Sequence, residues 1–229
     1  MIQIENLMNT LGIFVKHPLP GRVKTRLAAE IGESAATACY EAFVRDIVEK
    51  FQTTGESRHL CYAPDGQPAE TYFQSLAGSD YNIWPQPDST LGARLQQFFD
   101  DAFANSANSV IVIGSDSPSL PVEFITSAFE QLQHVDCVIG PAIDGGYYLF
   151  GQRGTSHPLF ADINWSQPTV FAETIARIQN LQLSYSVLNP WYDIDTRADL
   201  TFLKNHLTAL RQSTDGDECL LNHTWTQFQ

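Results

Sequence analysis

One segment constrains the fold more than any other: Ser109-Val110-Ile111-Val112-Ile113-Gly114. It is apolar without interruption, rich in β-branched residues and closed by a glycine. A strand with apolar side chains on both faces must be covered on both faces, as in the middle of a parallel sheet. The rest of the chain supplies the partners such a strand needs. Apolar runs at 11–16, 58–63, 137–140, 147–150 and 183–188, with a weaker one at 81–84, read as further strands. Between them lie segments with helical spacing, at 22–31, 33–51, 69–76, 91–104, 121–133, 169–178 and 199–210. In the longest, Ala38, Phe43, Ile47, Val48 and Phe51 mark the apolar face. Gly32 separates the first two helices.

This alternation predicts an α/β fold: a mostly parallel central sheet with helices on both faces, in three layers. No repeat, low-complexity run or long linker divides the chain, so a single domain over 1–229 is expected. The tail from about 211 has weak periodicity and no structure is predicted for it. Ligands of such sheets bind beyond the carboxyl ends of the strands. The loops after Val15, Ile113, Ile139 and Leu188 are therefore expected to line a site.

Composition limits the partners. Apolar residues make up 43% of the chain and charged residues 17%, which suits a packed core and not a disordered chain. The formal net charge of −13 repels nucleic acid and anionic membrane surfaces. No apolar stretch is long enough to span a membrane and no signal peptide is visible, so a cytoplasmic location is the default expectation. Cys39, Cys61, Cys137 and Cys219 show no metal-ligand spacing and read mostly as buried thiols.

Against this acidic background one loop stands out. Four of the 13 basic residues fall between positions 16 and 26, and no carboxylate occurs from Asn6 through Ala29. The segment runs Lys16-His17-Pro18-Leu19-Pro20-Gly21-Arg22-Val23-Lys24-Thr25-Arg26-Leu27. Its prolines stiffen it, and Gly21 lets backbone approach a ligand closely. A helix starting near Arg22 would add free N–H groups and its dipole. The loop therefore reads as a di- or triphosphate site, with Lys16, Lys24 and Arg26 as contacts and Arg22 partly facing solvent.

Three other loops carry carboxylates or glycines at strand ends. Asp116, in Gly114-Ser115-Asp116-Ser117-Pro118, is placed to hold Mg²⁺ or Mn²⁺, which prefer carboxylate and phosphate oxygens. In Asp193-Ile194-Asp195-Thr196-Arg197-Ala198-Asp199, Thr196 and Asp199 form a capping-box pattern. Capping leaves Asp193 and Asp195 unexplained; Asp195 reads as the second metal ligand and Asp193 as its neighbour. In Gly140-Pro141-Ala142-Ile143-Asp144-Gly145-Gly146, the paired glycines make a tight turn and clear space. Asp144 is a candidate for accepting an acceptor's proton. Trp165 reads either as a pocket wall or as core.

These motifs, in this order from about Leu11 to Leu210, resemble the radical-SAM/selenodomain-associated transferase family, whose members are often described as glycosyltransferases of arsenosugar biosynthesis. The resemblance implies a GT-A, Rossmann-like fold of the nucleotide-diphospho-sugar transferase superfamily. Two stretches depart from the pattern: Ser89-Thr90-Leu91-Gly92 stands where Gly-Asp-Leu-Gly is expected, so Thr90 holds the place of the Asp, and Gln167 follows Trp165-Ser166 where a Thr is expected. The basic loop is also similar to that of phospholactate guanylyltransferases. The Asp193-Ile194-Asp195-Thr196 run is similar to one in CMP-sugar synthetases, where the Asp before Thr is a metal ligand. That similarity implies Asp116 and Asp195 as the metal pair.

Two reactions use the same residues. In one, a glycosyl group passes from a nucleotide sugar to a small acceptor. In the other, an NTP is joined to a phosphorylated small molecule with release of pyrophosphate. Lys24 is a catalytic candidate in both, as the charge facing the leaving phosphate, and Asp144 is the candidate base for glycosyl transfer. A non-catalytic nucleotide sensor is the third reading, and two candidate metal carboxylates speak against it.

Overall fold

The computed structural model describes residues 8–213 and 221–229. Seven strands and eight helices alternate along them. The strands are β1 (Asn9–Lys16), β2 (Ser57–Ala63), β3 (Asn82–Pro85), β4 (Ser109–Gly114), β5 (Cys137–Pro141), β6 (Tyr147–Arg153) and β7 (Tyr185–Val187). The helices are α1 (Thr25–Ile31), α2 (Glu33–Phe51), α3 (Gln67–Ala77), α4 (Leu91–Ala104), α5 (Val122–Gln131), α6 (Val170–Asn180), α7 (Arg197–Gln212) and α8 (Asn222–Thr226). The expected α/β architecture is present, and no described helix is long and apolar enough to cross a membrane.

The strands form one sheet in the order β3-β2-β1-β4-β6-β5-β7. All neighbours are parallel except those of β6, which runs antiparallel to both β4 and β5. A short turn from β5 to β6 makes that reversal possible. As a result, the carboxyl ends of β1, β4, β5 and β7 share one edge of the sheet with the start of β6.

β4 shows how the sequence divides the core. Ile111 and Ile113 face one layer, with Leu11, Ile13 and Val15 of β1 and the buried sides of α2, α3 and α5. Val110 and Val112 face the other, with Ile139, Phe150 and the aromatic side of α4. The close approach of α4 depends on Gly12, since a Cβ there would lie 2.4 Å from the Phe98 ring.

α2 is buried on two sides. One side packs on the sheet through Tyr40, Val44 and Ile47. Another packs through Cys39 and Phe43 on Leu203 and Leu207 of α7. Ala38, expected on the apolar face, is exposed, and Ala36 and Tyr40 are buried in its place. A helix wedged between the sheet and a further helix has no single stripe, so the periodicity pointed at the wrong alanine. The tail also has structure: α8 lies against α2, where the Asp46 carboxylate accepts the His223 and Thr224 N–H groups at 3.0 and 2.7 Å. Cys39, Cys61 and Cys137 are buried free thiols, and Cys219 lies outside the described residues.

Lys50 ties α2 to the loop after β4. Its ammonium donates to the carbonyls of Pro118 and Leu120 at 2.6 and 3.2 Å. Burial lowers its pKa to about 8, against the opposing pull of Asp46 and Glu123. The unfolded chain therefore binds more protons than the folded one between about pH 8 and the ordinary lysine value. Stability must rise with pH across that window. Relative to a Lys50→Met variant, the wild type should gain up to about 3 kcal/mol between pH 7.5 and 10.5, read from urea unfolding. Parallel pH profiles for the two proteins would show that Lys50 is not desolvated as described.

Candidate active site

The basic loop is anchored by two apolar residues, Val23 and Leu27, both buried. Between them Lys24 adopts a left-handed backbone (φ 46°, ψ 46°), which costs a non-glycine residue energy and stops the helix from extending backwards. The first helix consequently begins at Thr25 and not at Arg22. This conformation carries the Lys24 side chain to the edge of the sheet, where only 2% of it is exposed. Its ammonium is ion-paired with Asp116 and lies 3.2 Å from Asp195 Oδ1. Arg26 closes the other oxygen of Asp195 at 2.9 Å.

Two side chains hold Asp116 in place. The Tyr40 hydroxyl, from α2, accepts the Lys16 N–H at 2.8 Å and bonds the Ser115 hydroxyl at 2.8 Å. It thereby fastens the end of β1 to the end of β4. Ile194 does the same for the distant pair of acids. Its side chain is fully buried among Phe43, Leu203 and Leu207, and its N–H donates to the Asp116 carbonyl at 2.9 Å. A buried residue flanked by Asp193 and Asp195 thus docks that segment directly on the backbone of Asp116. The capping box forms as expected: Thr196 accepts the Asp199 N–H, and Asp199 accepts the Thr196 N–H at 2.7 Å. Asp199 also accepts the Asp195 N–H at 3.1 Å, so the cap helps fix Asp195.

The electrostatics follow from crowding. Burial opposes the charge on Lys24, but Asp116 and Asp195 outweigh it and raise its pKa. Desolvation likewise opposes ionisation of Asp116, yet the Lys24 charge wins and holds its carboxyl below the usual range. Asp193 gets only a small share of that relief from Lys24. Burial, then Asp144 and Asp195, push its pKa up to about 6. These carboxylates fit a hard cation. Asp116 and Asp195 present oxygens to one point that an ammonium already marks, and Asp193 is near enough to feel Asp195 and Lys24 without joining them as a third ligand in one cluster.

Asp144 stands at the rim of this group. One of its oxygens accepts the Gly146 N–H at 2.8 Å, which shapes the β5–β6 turn. Gly145 is required there twice over: its φ is 92°, and a Cβ would sit 2.2 Å from the Pro168 carbonyl. That contact brings 165–168 to the mouth of the site. Trp165 itself packs edge-on to Tyr147, with ring centroids 6.2 Å apart, and its indole nitrogen abuts Gly92. It is half-buried against the second core cluster, so it is partly core and partly wall. The two departures from that pattern, at Ser89-Thr90 and at Gln167, lie within three residues of Gly92 and Trp165.

The structure thus brings Lys24, Arg26, Asp116 and Asp195 into contact, with Asp193 and Asp144 close enough to perturb one another. Lys16 and Gly21 sit at the same edge, with the Lys16 side chain exposed. Among the described residues, Lys16 and Arg22 form no ion pair, whereas Lys24 and Arg26, expected on phosphate, are engaged by acids. Sequence reasoning missed Tyr40 and Ile194. Each reads as ordinary core in its own segment, and only the fold shows what its polar atoms hold. A cavity of about 240 Å³ elsewhere, lined by Thr10, Ser57, His59, Trp84 and Phe98, lies at the starts of the strands and contains none of the motif residues.

The sheet order, its flanking helices and a crevice at the carboxyl ends of the strands define the class: this is the fold of nucleotide-diphospho-sugar transferase-like proteins. Within it, the chain belongs to the family described as "Uncharacterized protein conserved in bacteria (DUF2064)", which matches residues 47–167. A crystal structure from Desulfovibrio desulfuricans G20, provisionally named a nucleotide-diphospho-sugar transferase, is 32% identical. The match covers 96% of this chain and 93% of that one, with a TM-score of 0.86. The inositol-1-phosphate CTP transferase of T. maritima shares the fold at 10% identity, 90% and 98% coverage and a TM-score of 0.60. So does a CMP:2-keto-3-deoxy-manno-octonic acid synthetase complexed with CTP, at 12% identity, 88% and 99% coverage and a TM-score of 0.52. The comparison with curated proteins gave no match.

Tyr40→Phe removes one hydroxyl and leaves the Lys16 N–H and the Ser115 hydroxyl without their partner. A loss of about 1–3 kcal/mol in chemical denaturation is expected, the cost of orphaned buried polar groups. An unchanged unfolding midpoint would show that the bridge does not fasten β1 to β4.

Proposed function

We propose that this protein is a metal-dependent transferase of the nucleotide-diphospho-sugar class, moving a glycosyl group from a nucleotide sugar to a small acceptor. The observation that carries this reading is the convergence of Lys24, Asp116 and Asp195 on one point at the carboxyl edge of the sheet. It is supported by the 32% identity to a protein provisionally given that name. The resemblance of the motifs to the radical-SAM/selenodomain-associated transferases supports it further.

Asp116 and Asp195 would hold Mg²⁺ or Mn²⁺, with Asp193 beside them. When bound, the ion supplies charge neutralisation at the departing diphosphate. Lys24 and Arg26 hold positive charge against the same oxygens, stabilising negative charge as the glycosyl–oxygen bond breaks. Lys16 and Arg22 extend that field along the loop, and Gly21 admits the phosphates to the backbone. One Asp144 oxygen is held by the Gly146 N–H. The other is free to take the acceptor's hydroxyl proton as the acceptor oxygen bonds the sugar carbon. The electron pair of the broken bond leaves with the nucleoside diphosphate. Trp165 and the Gly145-Gly146 turn bound the acceptor side.

A second reading, nucleotidyl transfer from an NTP to a phosphorylated small molecule, is favoured by one feature. Four cations on one loop, two without ion pairs among the described residues, suit a triphosphate. Pyrophosphate would then be the leaving group held by Lys24 and Arg26.

Thermal melting with UDP-glucose, GDP-mannose and a panel of NTPs, with and without Mn²⁺, separates the two. Ligand stabilisation scales with concentration over Kd, so the preferred donor identifies itself. Asp116→Asn and Asp195→Asn should each weaken Mn²⁺-dependent binding at least tenfold, about 1.4 kcal/mol, while leaving the fold intact. Unaltered Mn²⁺-dependent affinity in either variant would refute the assignment of the metal to this pair.

A further inference from the structure

We infer that Lys24 is a resident counter-cation: it keeps free divalent metal out of the Asp116–Asp195 pair and yields its place only to a metal that arrives with a polyphosphate. This rests on the reading of the site given above and adds an order of events to it.

The argument is one of occupancy. The ammonium of Lys24 lies between the two carboxylates that would hold the metal, ion-paired with one and 3.2 Å from the other. It is shut off from water, with 2% of the side chain exposed. A dication at that point would meet a positive charge at contact distance, little screened on the buried Lys24 side although Asp116 is half-exposed. Metal alone must therefore displace Lys24 from both carboxylates, leaving Asp193, which already feels its charge, as the nearby acid that could take it. A ligand's phosphate oxygens supply another acceptor. The long flexible stem allows the ammonium to swing from carboxylate to phosphate without moving the backbone. The left-handed conformation at Lys24 matters here, because it aims the side chain inward before any ligand arrives. Arg26 reinforces the arrangement by occupying the second oxygen of Asp195. Metal and polyphosphate should then bind as a unit, each raising the affinity for the other by the same factor.

The test is a Mn²⁺ titration followed by electron paramagnetic resonance, on the full chain. Wild type should bind free Mn²⁺ weakly and the preformed Mn²⁺–pyrophosphate complex at least tenfold more tightly. Lys24→Gln removes the resident charge and should bind free Mn²⁺ at least tenfold more tightly than wild type, with the advantage of pyrophosphate largely lost. Mn²⁺ alone should raise the melting temperature of Lys24→Gln and leave that of wild type unchanged. Lys24→Arg keeps the charge and should keep the exclusion. A Lys24→Gln protein that binds free Mn²⁺ no more tightly than wild type overturns the inference. If that variant does not fold, wild type decides alone: equal affinity for free and pyrophosphate-bound Mn²⁺ overturns it as well. Absence of Mn²⁺-dependent nucleotide-sugar or NTP binding in wild type would instead defeat the proposed function, and a tighter Mn²⁺ site in Lys24→Gln would still stand by itself.

Discussion

The arrangement depends on one ammonium shared by two carboxylates that lie far apart in sequence. Lys24 comes from the loop after β1, Asp116 from the loop after β4, and Asp195 from the stretch between β7 and α7. No local interaction could join them. They meet because β1 and β4 are neighbours in the sheet, and because β7, although an edge strand, points the same way. Two acids converging without a cation would repel one another and raise their pKa values, as burial and then the neighbouring Asp144 and Asp195 raise that of Asp193. Lys24 is thus as much a condition of the folded edge as a candidate participant in chemistry.

Apolar burial positions these charges. Val23 and Leu27 set the basic loop, Ile194 sets the acid pair, and Tyr40 joins the ends of two strands through its one polar atom. In each case the polar group that acts is adjacent to, or part of, a side chain whose burial fixes its position. The same logic explains why Asp144 is placed by a turn and not by a helix. The antiparallel β6 follows β5 within a few residues, so its connecting turn stays at the site edge. A helical crossover would have carried the chain away.

Much of this was legible in the sequence. The long α2, α4 and β4 have strong periodicity or continuous β-branching, and their limits follow from composition alone. The metal and phosphate candidates were legible because charge is scarce in this chain and was concentrated where strands end. What the residues did not disclose was pairing. Arg22 looked like a helix start because nothing in a single segment signals that Lys24 will turn left-handed to reach two distant acids. Lys24 and Arg26 read as free cations because their partners, Asp116 and Asp195, lie roughly 90 and 170 residues on in other loops. Ala38 misled for the complementary reason: a helix packed on two sides has no single apolar stripe to find.

Charge balance links the site to the kind of ligand proposed for it. Lys24 and Arg26 meet Asp116 and Asp195 at one edge, with Asp144 and Asp193 close by and Lys16 and Arg22 on the same loop, so cations gather there although the whole chain is strongly acidic. A lone anion would find Lys24 and Arg26 already engaged, and on the proposed reading a lone dication would find an ammonium between the two acids. A nucleotide diphosphate sugar carries two negative charges, and with one divalent cation it is neutral. Such a complex can enter without changing the net charge of the crevice, trading ion pairs inside it one for one: carboxylate to metal, ammonium to phosphate. A metal–triphosphate complex would leave an excess of negative charge for Lys16 and Arg22 to absorb. On this argument Lys16 and Arg22, and not the ion-paired Lys24 and Arg26, decide between the two donors.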